Sequence, residues 1–171
     1  MRTTQGWRAS GPTTALQRVA LERRDLRPDD LAVRVDYCGV CYTDLHAIRT
    51  HTGDALLVPG HEFTGVVTEV GRDVTGWREG QPVAASPLGS CGKCRICARG
   101  LAFRCEAAPN IGITRQGAYA QYVAVPARQL AALPEELPVE TGSHAALMTR
   151  NGLYARLAKT QDLESGAETA A

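Results

Sequence analysis

Pro59-Gly60-His61-Glu62-Phe63-Thr64-Gly65-Val66-Val67-Thr68-Glu69-Val70-Gly71 joins a β-rich run over residues 63–70 to a histidine and a carboxylate placed directly before it. Outward towards the N-terminus, residues 31–37 alternate: Leu31, Val33, Val35 and Tyr37 fall on one face, Ala32, Arg34 and Asp36 on the other. That period of two predicts a half-buried strand. Towards the C-terminus, residues 82–85, 118–125 and 129–133 read as further strands, the last two stopped by Pro126 and Pro134. Short strands punctuated by Gly and Pro predict an all-β barrel or sandwich and not alternating βαβ units. Residues 43–49 are expected to form a short helix, capped by Thr43 or a neighbour.

The totals frame that reading. With 171 residues, 44% hydrophobic and 22% charged, the chain has the length of about one domain and an ordinary globular composition. A net charge of +1 leaves no excess of cations to neutralise phosphates, which argues against nucleic acid as a partner. No run of 18 apolar residues is present, so no membrane span is expected. Residues 1–10 hold no apolar stretch of the kind an export signal needs, and six cysteines then read as metal ligands and thiols, with a cytoplasmic location expected.

Cys91, Cys94, Cys97 and Cys105 form C-x2-C-x2-C-x7-C. Zinc takes four thiolates in a tetrahedron, and thiolates so closely spaced converge on it when the backbone between them turns tightly. Gly92 and Gly100 supply that turn, and Lys93, Arg95, Arg99 and Arg104 are expected to favour the thiolate forms. A set of free or redox-active thiols is the alternative, and the spacing disfavours it. The metal here would serve structure, standing in for a core that this loop is too polar to build.

A second constellation is spread over Cys38, Cys41, Asp44, His46, His61 and Glu62. By residue type alone it is compatible with an open zinc site, and Cys38-x-x-Cys41 equally with a redox pair. The glycines add specificity. Gly60-His61-Glu62-x2-Gly65-x5-Gly71-x2-Val74, followed by the four-cysteine lobe, resembles the signature of zinc-dependent medium-chain alcohol dehydrogenases, and residues 31–133 resemble these enzymes throughout.

The resemblance implies a mainly β fold: a GroES-like, partly open β-barrel over residues 1–137, with a structural zinc lobe and a helical tail over 138–171. It implies Cys41 and His61 as ligands of a catalytic zinc, with Glu62 near enough to join them. By the same resemblance Asp44 matches the acid that orients the liganding histidine. Thr43 resembles the hydroxyl that takes the alcohol proton, and His46 the residue that passes it towards solvent. Tyr42 stands where relatives place a cation on the pyrophosphate of the cofactor. Cys38 is left without a role, as a small buried side chain, and His51 and His144 as structural or surface residues. The implied activity is alcohol–aldehyde interconversion with NAD(P), on a small-molecule alcohol or aldehyde.

The chain also departs from that pattern. No cysteine follows Cys105 to act as third ligand, so the structural zinc is expected to bind tightly and the catalytic zinc weakly or not at all. No Gly-x-Gly occurs, so these 171 residues are not expected to include the dinucleotide domain of the family. The chain is expected to be inactive alone, with a second chain completing the fold, or else to be a non-catalytic zinc-binding structural or interaction module. In the tail, Val139 to Gln161 resembles the C-terminus of ABC-exporter ATPases, without any phosphate loop. Ser143 can cap a helix running through Ala146, Leu147, Arg150, Leu153, Tyr154 and Leu157, weakened at Asn151-Gly152. From Asp162 onward the composition reads as disordered.

Overall fold

The computed structural model describes residues 1–50, 57–85, 89–134, 142–156 and 158–160. The chain forms two compact units, Met1–Glu135 and Glu136–Ala171. In the first, β1 (Arg2–Arg8) and β2 (Gln17–Arg23) pair as an antiparallel hairpin. There follow β3 (Asp30–Cys38), α1 (Tyr42–Thr50), β4 (Phe63–Val70) and β5 (Pro82–Ala85). A single turn α2 (Arg95–Ala98) precedes β6 (Tyr122–Pro126) and β7 (Leu130–Ala132). β3 to β7 make a curled half-barrel sheet in the order β6-β3-β4-β5-β7 with antiparallel pairing throughout.

The core sits on one face of this sheet. Leu31 and Val33 from β3, Phe63 and Val67 from β4, Val83 from β5, and Val123 and Val125 from β6 form its centre, closed by Ile111, Ala118 and Leu130. Burying side chains of this size contributes roughly 1.5–3 kcal/mol each. Ala32, on the opposite face of β3, is buried as well.

Two bulges in the β3–β4 ladder correct the alternation predicted for β3. One leaves Thr68 of β4 unpaired between Val67 and Glu69; the other leaves Asp36 of β3 unpaired between Val35 and Tyr37. An extra residue reverses the in–out order beyond it. Tyr37, expected to face inward with Val35, is therefore 67% exposed. Cys38, opposite Phe63, turns in against the core.

The glycines around β4 have local reasons. A Cβ on Gly65 would lie 2.0 Å from the Arg34 carbonyl, so only glycine permits this strand approach. Gly60 has φ +97, and a Cβ there would lie 2.7 Å from the Tyr119 nitrogen.

The strand expected over residues 118–125 begins later, at Tyr122. The backbone before it is used differently. Gly117 N–H donates to Val58 O (2.6 Å), Ala118 N–H to Gly60 O (2.8 Å) and Tyr119 N–H to Pro59 O (3.0 Å), an irregular clamp on the segment that carries His61. The hairpin joins the same region through Trp7 N–H to Tyr119 O (2.7 Å).

In the second unit, α3 (His144–Arg150) starts at Ser143, whose hydroxyl accepts from Ala146 N–H at 3.3 Å. It ends at Asn151 in the left-handed region, φ 51, and residues 153–156 and 158–160 are helical again. Asn151-Gly152 thus breaks the predicted helix and does not merely weaken it. His144 Nδ1 lies 2.9 Å from the Tyr154 hydroxyl. His51, residues 135–141, Leu157 and the stretch from Gln161 onward lie outside the described residues. No described helix is long and apolar enough to cross a membrane.

Candidate metal centres

The loop between β5 and β6 gathers four thiols. Cys94 caps α2, its sulfur accepting from Cys97 N–H, and a 3-10 turn at Ala102–Arg104 brings Cys105 round to the other three. Gly92 and Gly100 adopt φ +73 and +77, the turning expected of them. The Sγ–Sγ distances are 3.5 Å (Cys94–Cys97), 3.9 Å (Cys91–Cys97) and 3.9 Å (Cys94–Cys105). Zinc–sulfur bonds of about 2.3 Å in a tetrahedron separate the sulfurs by roughly 3.8 Å, whereas a disulfide requires about 2 Å. The four thiols fit a structural zinc site.

Backbone donors tune these sulfurs. Cys91 N–H points to Cys105 Sγ and Cys94 N–H to Cys91 Sγ, each at 3.3 Å. The Cys91 thiol is lowered to about 6, chiefly by the backbone N–H groups of Lys93 and Cys94. The side chains of Lys93, Arg95, Arg99 and Arg104 are exposed, and at Cys91 the backbone amides act most strongly on the thiol. Cys97 is raised to about 11, first by desolvation and then by its bond with Cys94.

The second cluster is organised by Asp44, which is 2% exposed. Its Oδ2 accepts from Cys41 N–H (3.1 Å); its Oδ1 accepts from Gly60 N–H (2.8 Å) and lies 3.1 Å from His61 Nδ1. A carboxylate only accepts, so Nδ1 carries the proton and the lone pair of Nε2 faces outward. There Nε2 lies 3.1 Å from Cys41 Sγ and 3.5 Å from Glu62 Oε1. Ligand atoms of Cys41, His61 and Glu62 all fall within 4.8 Å of one another. The Cys41–His61 separation is shorter than the roughly 3.6 Å edge of a tetrahedral zinc with these donors, so the pair must open slightly to admit the ion. With that small movement the donor set of thiolate, imidazole and carboxylate fits zinc.

α1 fixes the remaining predicted residues. Tyr42, Thr43 and His46 lie on its exposed side, Thr43 and His46 one turn apart, and Thr43 N–H points to Cys41 Sγ at 3.3 Å. Cys38 is partly buried, its thiol pushed up to about 11 by burial and then by Asp44, and it is not among the grouped ligands. Tyr119 escaped the sequence reading. Its ring packs on Gly60, its hydroxyl is buried, and burial followed by Asp44 raises its pKa. No spacing rule announces it, because its proximity arises from the clamp of residues 117–119 on 58–60.

A curled β module with a four-thiol lobe and a thiolate–imidazole–carboxylate cluster defines a metal-binding domain. The chain belongs to the alcohol dehydrogenase GroES-like domain family, whose model matches residues 27–135. It is 32% identical over 148 residues to cinnamyl alcohol dehydrogenase 3 of Arabidopsis thaliana, covering 81% of this chain and 40% of that protein. Among solved structures it resembles a cinnamyl alcohol dehydrogenase from Sorghum bicolor (TM-score 0.70, 32% identity, 80% of this chain and 42% of that one). It also resembles a cobalt- and zinc-bound thermostable alcohol dehydrogenase from Pyrobaculum aerophilum (TM-score 0.68, 34% identity, 77% and 41%). The chain thus spans about two fifths of the length of the relatives it matches.

Proposed function

We propose that this chain is the substrate- and zinc-binding half of an alcohol dehydrogenase, interconverting alcohols and aldehydes once a nicotinamide-binding domain is supplied. The observation that carries the proposal is the arrangement of Cys41, His61 and Glu62 around one point, with His61 oriented by a buried Asp44. Zinc bound there supplies Lewis acidity that makes a substrate hydroxyl easier to deprotonate, and NAD(P) supplies the hydride acceptor. The chain's own residues do the rest. Asp44 holds the tautomer of His61, Thr43 accepts the proton of the alcohol, and His46 releases it to solvent from the same exposed face of α1. Tyr42 borders the cofactor. Cys91, Cys94, Cys97 and Cys105 hold a second, structural zinc. Six thiols without a disulfide among them suit the reducing cytoplasm.

The sequence of this chain contains no Gly-x-Gly, so the proposal assigns the cofactor to a separate segment or chain. The same absence favours a second reading, a non-catalytic zinc-binding structural or interaction module. A chimera decides between them. Joining the NADP-binding part of the similar zinc-binding dehydrogenase of Sinorhizobium meliloti, solved with NADP, after residue 135 should give alcohol-dependent reduction of NADP, abolished by Cys41→Ala. A folded, zinc-loaded chimera without turnover above that control contradicts the catalytic reading.

A further inference from the structure

Away from both metal centres, a cavity of about 500 Å3 opens between β2, the 111–116 loop and β6. None of the candidate metal ligands lines it. Its wall carries four guanidiniums, Arg23, Arg24, Arg27 and Arg115, against one carboxylate, Glu22. Arg24 is answered by Asp30, outside the wall. Among the described residues the other three make no ion pair, although Asp30 acts on Arg115 and Asp29 on Arg27 at longer range.

Arg23 is 4% exposed, and its terminal nitrogens donate to Gln116 Oε1 (3.0 Å) and Gly117 O (2.7 Å). Its buried Nε has no partner among the described residues. Among the described residues, Arg27 and Arg115 have neither a side-chain hydrogen bond nor an ion pair. The guanidinium of Arg115 is held below its ordinary range by burial and then by the like charges of Arg27 and Arg24. Like charges gathered around the buried Arg23 repel one another, and an anion that joins them relieves that repulsion.

Two further features narrow the ligand. Ile111, Val123 and Val125, each 2% exposed, give the cavity an apolar floor. Gln129 is 1% exposed; its Nε2 donates to Pro109 O at 3.3 Å, and its buried Oε1 has no donor among the described residues. We propose that this cavity binds a small organic carboxylate that carries an apolar body and a hydroxyl, the carboxylate meeting the arginines and the hydroxyl meeting Gln129. The site is separate from the metal centres and does not rest on the dehydrogenase reading.

Calorimetry on the full chain with 4-hydroxybenzoate as the probe tests this. Saturable binding is expected, weakened about tenfold by Arg115→Gln and similarly by Arg27→Gln, the loss of one charge-assisted contact. Both side chains are exposed, so these variants should keep the wild-type circular dichroism and zinc content. Benzyl alcohol should not bind, and benzoate should bind more weakly. No saturable binding, binding by either variant as tight as that of the unchanged chain, or inorganic phosphate binding as tightly as 4-hydroxybenzoate overturns the proposal.

Discussion

Asp44 shows how one residue sets a site. A single buried carboxylate accepts from the backbones of Cys41 and Gly60 and fixes the ring of His61. Asp44→Asn should therefore weaken metal binding at the Cys41–His61–Glu62 centre about ten- to hundredfold, measured by chelator competition, while the four-thiol lobe keeps its affinity. Equal loss at both centres would contradict the role given to Asp44. Gly65 makes the parallel case for the fold. With a Cβ 2.0 Å from the Arg34 carbonyl, Gly65→Ala must push β4 off β3, and about 3 kcal/mol of stability should be lost in urea unfolding. At this scale the sequence was informative about residue type and blind to distance. His61 and Gly65 stood out in a motif, whereas Tyr119 did not, since its neighbours come from a non-local backbone clamp.

Elements differ in how far their sequences announce them. β4 and β5 coincide with the predicted runs because apolar and β-branched residues fill them between Gly and Pro stops. The β1–β2 hairpin went unread. Its strands, RTTQGWR and QRVALER, are largely polar and bury few positions, so pairing rather than side-chain pattern defines them. Tyr37 was misplaced because a bulge leaves no mark in a two-residue period.

The zinc lobe is tied down by Arg128, which donates to Ser90 O (3.1 Å) and to Asp29 (2.8 Å). That bond holds Asp29 below its ordinary carboxylate range. A depressed folded value means stability present above the unfolded pKa, about 3.9, and lost as pH falls through the lower folded value. Arg128→Gln should return Asp29 to the ordinary range in an NMR titration and remove that part of the acid dependence. The lobe itself should behave as one unit. Stripping zinc, or changing Cys91 and Cys94 to Ser, should expose the amides of residues 91–105 to hydrogen exchange and leave those of β3 and β4 protected.

At the scale of the molecule, the half-barrel carries its own core, and two ligand sets project from its loops. Tyr37, Val40 and Tyr42 are 67%, 75% and 72% exposed around the Cys41 segment. The two centres should then differ in strength. Four thiolates close the coordination of one, while the other has three donors, one of them on the half-exposed side chain of Glu62. Elemental analysis of reduced, freshly purified protein bears on this most directly. The account predicts about one tightly held zinc per chain, lost in the Cys91→Ser, Cys94→Ser double variant, with any second zinc removed by mild dialysis against chelator. A chain that is folded and free of metal would contradict it.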